Sequence, residues 1–263
     1  TTELSELNLE PEQDWGHSMN EVWTPGERGA ASALELFINE SFNDYAKIRN
    51  FPNTKGTSRL SPHLRFGEIS PRQIKHSLEQ SGNAQWKESH YLSEIGWREF
   101  GYHLLYHFPH TVREPLRPQF NRFPWKENSP QLRSWQKGQT GYPLVDAGMR
   151  ELWATGWMHN RVRMVVASFL VKHLLIHWRH GADWFWDTLV DADLASNTQG
   201  WQWTAGSGAD AAPYFRIFNP TTQAIKFDPE GDYIRKWVPE LRHMSAPDIF
   251  EPSKVDRGQN YPN

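Results

Sequence analysis

The sequence predicts a mainly α-helical domain, on three observations. Ser or Thr followed by Pro recurs at Thr24-Pro25, Ser61-Pro62, Ser70-Pro71 and Ser129-Pro130. That is the pattern of a helix start with Pro in its first turn. Apolar residues recur every three or four positions over long stretches. No stretch between turn signals alternates apolar and polar residues with the period of two that a half-buried strand needs.

Taken in order, residues 1–23 are acidic and aperiodic and read as a lead-in or linker, with the helical domain at 24–263. Thr24-Pro25-Gly26-Glu27 has the form of a capping box, and Ala30, Ala33, Leu34, Phe37, Ile38 and Phe42 follow at helical spacing. Ser70-Pro71-Arg72-Gln73 repeats the device with Gln. Residues 109–130 contain five Pro and predict a long surface crossing. Met149, Leu152, Met158, Val162, Val165, Val166, Phe169, Leu170 and Leu174 form a periodic run over about 145–180, punctuated by Gly141, Pro143, Gly156 and Gly181 and read as two helices. Residues 194–232 are rich in Gly, Ala, Asn and Thr, and are either a functional loop or a set of short helices.

Composition excludes whole classes of function. With 28 Lys+Arg against 31 Asp+Glu, the formal net charge is −3. A surface that grips nucleic acid by overall charge is excluded, so any such site is a local patch. Cys is absent, which removes disulfides, thiolate metal sites and thiol nucleophiles. The longest apolar run, Met164 to Val171, is broken at Ser168 and is too short to span a bilayer. The opening TTELSELNLE has neither a signal nor a transit pattern, so a cytoplasmic protein is expected. The 14 Trp, 14 Phe and 8 Tyr furnish a large aromatic core. Trp also offers flat faces for stacking and an easily oxidised ring.

Several constellations could carry chemistry. Gly56-Thr57-Ser58-Arg59-Leu60-Ser61 combines close backbone approach, hydroxyls and a helix start, which suits either a phosphate or a plain capped turn. Glu94, Trp97, Arg98 and Gly101 share one helix face, either as a site or as an exposed Glu94–Arg98 pair beside a core ring. Trp157, Asn160, Arg161 and Met164 form a similar stripe, and an amide on such a stripe needs partners. Between Leu152 and Ala182 there are bases but no acid, and between Asp183 and Asp193 four Asp and no base. These segments either neutralise each other or bind phosphate and hydroxyl groups. His103, His107 and His110, and His173, His177 and His180, have ligand-like spacing, but without HExxH or Cys they read as core-edge His and no metal is expected. Asp191-Ala-Asp-Leu-Ala-Ser-Asn-Thr-Gln-Gly-Trp-Gln-Trp203 is the densest run of donors, acceptors and rings.

That run resembles the flavin domain of the DNA photolyase/cryptochrome family. So do Gly56 to Ser61, Trp97-Arg-Glu-Phe100, Thr140-Gly-Tyr-Pro-Leu-Val-Asp-Ala147, Thr155-Gly-Trp-Met-His-Asn-Arg-Val-Arg-Met164 and Phe227-Asp-Pro-Glu-Gly-Asp-Tyr-Ile-Arg235. The resemblance covers about residues 25–263 in the family's order and is strongest to bacterial class I cyclobutane pyrimidine dimer photolyases. Relatives place an α/β antenna domain before this region, whereas here a short lead-in precedes it; a fragment or a minimal form is expected.

The resemblance implies a helical domain holding FAD beside a cavity for a flipped-out pyrimidine dimer. It implies that Tyr45, Thr57, Ser58, Arg59, Leu60 and Ser61 bind the cofactor, chiefly its phosphates. Asp191, Ala192 and Asp193 would take its ribityl–adenine side, with Asn197 at flavin N5 and Arg163 paired to Asp191. Glu94, Trp97, Asn160, Met164 and Trp203 would be the residues at the dimer, and Glu94, if protonated, could donate to it. Arg49, Glu94, Trp97, Arg98, Asn160, Arg161 and Arg216 would form the DNA face. Trp201, Trp178 and Trp125 match a chain of electron-carrying tryptophans. The implied reaction is light-driven repair of DNA containing pyrimidine dimers, by a monomer with neither membrane nor metal. The alternatives are a cryptochrome-type photoreceptor, disfavoured by Asn197 in place of an acid or Cys, and a cofactor-free module that stacks single strands on Trp.

Overall fold

The computed structural model describes residues 3–7, 14, 16–211, 216–255 and 261–262. These are helices and short helical turns joined by loops, with no strand among the described residues. The longer helices are α1 (Glu27–Glu40), α2 (Ser61–Phe66), α3 (Pro71–Gln80) and α4 (His90–His107), then α5 (Ser129–Gln136), α6 (Pro143–Thr155), α7 (Asn160–Ser168) and α8 (Trp178–Thr188). α9 (Leu194–Ala205), α10 (Pro220–Phe227) and α11 (Asp232–Trp237) follow. The mainly α expectation is met, and residues 194–232 hold two helices. No helix of the described residues is long and apolar enough to cross a membrane.

The Ser70 capping box forms as predicted, with Ser70 and Gln73 satisfying each other's backbone N–H. The one at Thr24 does not. Gly26 adopts φ +95 and α1 starts at Glu27 without a side-chain cap. The Thr24 carbonyl lies against Gly29, where a Cβ would come within 1.9 Å of it. α5 is capped by Asn128 rather than Ser129, through Gln131 N at 3.0 Å. Residues 145–180 also differ from the two helices predicted. Gly156 ends α6 at φ +67, α7 runs into a π-helical turn at Phe169–His173, and Leu175 takes φ +58 before α8. The caps of α7 and α8 are His159 and His177, whose Nδ1 atoms accept from the backbone N–H of Arg161 and Arg179. Gly156 is the break that the sequence signalled, whereas the one at Leu175 was not, because His is outside the usual cap set.

Two hydrophobic clusters organise the chain. The smaller joins α1, α3 and the start of α4 through Leu34, Phe37, Tyr45, Leu60, Ile74, Leu78 and Tyr91. The larger surrounds α6 to α9, with Trp135, Leu152, Val162, Leu170, Trp178 and Trp201 all buried. Trp135 is fully enclosed and donates Nε1 to the Val166 carbonyl at 3.1 Å. α6 buries Glu151, which accepts from Tyr233 at 2.6 Å and from His159 N at 3.3 Å. The lead-in is tied to α6, as Ser18 Oγ donates to Ala154 O and Trp23 Nε1 to Thr155 O, both at 2.7 Å. The Pro-rich crossing is fastened to α9 by buried Gln202. Its Nε2 donates to the carbonyls of Thr111 and Glu114, and its Oε1 accepts from Leu116 N.

Candidate functional site

A two-lobed cavity opens between the two clusters. One lobe, of about 460 Å³, is lined by Tyr45, Arg49, the 57–61 loop, Glu94, Trp97, Arg98, Trp157 and part of α7. The other, of about 510 Å³, is lined by Met164, Ala192, Asp193, Asn197 and Trp201. Glu94, Trp97, Asn160, Arg163, Asp191 and Trp203 line both. Every residue expected at the cofactor, and every one expected at the dimer, therefore lines one continuous space.

The small cluster supplies the first wall. Leu60 is buried and anchors the 57–61 loop, while Tyr91 donates to Ser58 Oγ at 2.9 Å. Trp157 Nε1 donates to Ser61 Oγ at 3.3 Å. The Arg59 guanidinium lies between the rings of Trp23 and Trp157, 4.7 and 4.5 Å from their centroids. Burial lowers the Arg59 pKa and raises that of the Tyr45 hydroxyl to about 12. Glu94 pairs with Arg49 at 2.6 Å, so the Glu94–Arg98 pair allowed by their spacing is not formed. Arg98 turns instead to Asp193 at 3.4 Å.

α7 to α9 supply the second wall. Asn160 opens α7 and Met164 lies one turn later. Arg161 leaves the stripe that spacing suggested. It is not among the residues lining the cavity, and its guanidinium binds Asn50 Oδ1 at 2.7 Å above the Phe227 ring. Arg163 pairs with Asp191 at 2.8 Å, as the resemblance implied. Asp193 caps α9 through Ser196 N at 2.8 Å and accepts from Tyr102. Burial opposes its ionisation, but those hydrogen bonds and Arg98 hold its carboxyl below the ordinary range. Asn197 donates Nδ2 to the Ala182 carbonyl at 2.9 Å, which fixes its carboxamide. His159 lines neither lobe; burial and nearby arginines push its imidazole down to about 4.

Arg216, Trp125 and Trp178 also lie outside the cavity. Arg216 is exposed, and its carbonyl accepts from Lys172 Nζ at 2.6 Å. Trp201 is buried against α8, whose Gly181 leaves room for its ring: a Cβ there would be 2.0 Å from Cη2. Trp178 precedes Gly181 by one turn on the same helix, and the half-buried Trp125 lies beyond. Sequence reasoning missed Tyr91, Tyr102, Ser196 and Gly200. Ser196, Gly200 and Trp203 stand at i, i+4 and i+7, so helical spacing from Trp203 could have found two of them.

The residues present fit a flavin dinucleotide. Asp191 Oδ2 is held by Arg163, while its Oδ1 is buried without a protein partner. A buried acceptor left open in this way suits a hydroxyl donor such as those of a ribityl chain. The hydroxyls of the 57–61 loop suit the phosphates. No cluster of metal-ligating side chains occurs among the described residues.

Comparison with known proteins points to the same cofactor. Residues 91–263 match the FAD binding domain of DNA photolyase. The deoxyribodipyrimidine photo-lyase of Agrobacterium fabrum is 49% identical over 98% of this chain and 57% of its own length. That of Escherichia coli is 50% identical over 87% of this chain and 49% of its own. The chain thus spans about half the length of these relatives. A solved class III photolyase from Agrobacterium tumefaciens covers the whole chain and 57% of its own, at 48% identity and a TM-score of 0.95. That match corrects the expected affinity to class I enzymes: the motifs named above belong to the shared flavin cradle and do not separate the classes. The cofactor is FAD. By sequence and by fold, the chain belongs to the family of the FAD binding domain of DNA photolyase.

Proposed function

We propose that this chain, loaded with FAD, uses light to split cyclobutane pyrimidine dimers in DNA. The observation that supports the reading is the wall common to both lobes, where Glu94, Trp97, Asn160 and Trp203 stand beside the residues that fit the flavin. The bound cofactor supplies light-driven one-electron chemistry, an electron lent to the dimer and returned once the ring has opened.

The chain's residues do the rest. Asp191, Arg163, Asp193, Asn197, Tyr45 and the 57–61 loop bind and orient the cofactor. Trp97 and Trp203 offer flat faces to an extruded dimer, and Asn160 and Met164 offer an amide and a thioether. Glu94 is held by Arg49 in the free chain; protonated and released from that pair, it donates a hydrogen bond to the dimer. Arg49, Arg98, Arg161 and Arg216 hold phosphates as a local patch on an acidic chain. A dimer pairs poorly, so extruding it costs less than flipping a normal base. Trp201, Trp178 and Trp125 re-reduce the cofactor without taking part in repair. The chain would act as a monomer in the cytoplasm.

The test is illumination of the reduced, FAD-loaded chain with oligonucleotides carrying a cyclobutane dimer or a six-four product. Reversal of the cyclobutane lesion alone is expected, because no His among the described residues lines the cavity to move protons for the other. Efficient six-four reversal, or equal binding of damaged and undamaged strands, overturns the reading. Retained photochemistry without any repair turns it toward a photoreceptor.

A further inference from the structure

His177 lies beside both outer rings of the tryptophan series. Its imidazole centroid is 5.0 Å from Trp125 and 5.6 Å from Trp178. Direct packing of Trp125 on Trp178 is not among the ring contacts of the described residues; the imidazole adjoins each of them. On the outer side Trp125 meets Phe123 at 4.3 Å, and the 123–126 strap is pinned where Lys126 N donates to the Leu175 carbonyl at 2.8 Å. On the inner side Trp178 shares α8 with Gly181, against which Trp201 packs. The same imidazole also caps α8, its Nδ1 accepting from Arg179 N at 3.1 Å. Any short polar side chain could do that capping. Only a ring can touch both indoles.

We propose that His177 is the bridging side chain of the outer electron-transfer step, its imidazole coupling Trp178 to Trp125. The inference rests on the reading that Trp201, Trp178 and Trp125 re-reduce bound flavin. In that step one electron leaves Trp125 and fills the vacancy on oxidised Trp178. Trp178 is reduced, Trp125 is oxidised, and a soluble thiol at the surface refills Trp125. Burial, Arg179 and His180 push the imidazole down to about 4, so at neutral pH it adds no charge against the vacancy on either indole.

Capping and bridging at position 177 can be separated. His177→Asn keeps a capping side chain and removes the ring. His177→Phe keeps the ring and removes the cap. Each variant, and Trp125→Phe as a control, is loaded with FAD and illuminated with dithiothreitol. Flavin photoreduction is followed by absorbance, and stability by thermal melting with and without FAD. The expected result is opposed behaviour: His177→Asn melts near the parent but photoreduces several-fold more slowly, while His177→Phe melts lower and photoreduces near the parent rate. If Trp125→Phe is slow and His177→Asn is not, the bridging assignment fails and the tryptophan series stands. If Trp125→Phe itself photoreduces at the parent rate, the series fails and the bridge with it. If His177→Phe does not fold, His177→Asn still decides the matter, because its cap is intact.

Discussion

The two walls of the cavity are built differently. On the small-cluster side, polar groups find partners close by: Arg49 has Glu94, Tyr91 has Ser58, and Trp157 has Ser61. On the large-cluster side, α8 and α9 meet closely at Gly181, where the Trp201 ring takes the space of a Cβ, and one carboxylate oxygen of Asp191 is left open. This contrast sets where each kind of change should register. The first wall should tolerate substitution in the free protein, whereas the second couples cofactor binding to the packing of the core.

The largest effect is expected at Gly181. Alanine gains about 1 kcal/mol in a helix interior, but its Cβ would sit 2.0 Å from the buried Trp201 ring. Gly181→Ala should therefore lose about 3 kcal/mol or more on balance, read by urea melting. Gly96, on α4 of the first wall, has nothing within 4 Å. Gly96→Ala should gain roughly 0.5–1 kcal/mol. Equal losses at the two sites would break the contrast.

Acid should act next through His159, which caps α7 without lining the cavity. The His159 imidazole titrates at about 4 in the folded chain, against an ordinary value of 6.5. Between those values the unfolded chain binds the extra proton, so stability falls as pH drops from 6.5 toward 4. Above 6.5 the contribution is complete. The slope for this group is at most about 1.4 kcal/mol per pH unit. His159→Asn, which can still cap α7, should flatten it in melts across that window.

Asp191→Asn should weaken FAD binding by about 2 kcal/mol, because it disturbs both the Arg163 pair and the open acceptor. Equilibrium dialysis against FAD measures it, and unchanged retention would argue that Asp191 faces no ligand. The smallest loss belongs to the small cluster away from the cavity: Ser70→Ala should lose about 1 kcal/mol through its capping box and leave FAD binding as it was.

Much of this was legible in the chain. Ser70 with Gln73 announces its helix through a standard capping box. Segregated charge pointed to contact between the two segments, but the Arg163–Asp191 pair itself was named only through resemblance. The flavin cradle was readable only through resemblance, because Asp191, Asn197 and the 57–61 loop are far apart in sequence and share no single period. Three things were hidden for physical reasons. His159 and His177 cap helices with a ring nitrogen, which composition does not signal. The π-helical turn shifts the phase of an apolar run without interrupting it. Arg98 had two acids within reach, and tertiary packing chose Asp193 over the neighbour one turn away.

Gln202 sits between Trp201, which packs into the core, and Trp203, which lines the cavity. It holds the crossing by the main chain at Thr111, Glu114 and Leu116. In hydrogen exchange, the Leu116 amide can be released only when α9 lets go of this side chain. Its exchange rate therefore reports the opening of α9 from a segment outside that helix. Ligands that tighten the cavity should slow that amide too, although it touches none of them.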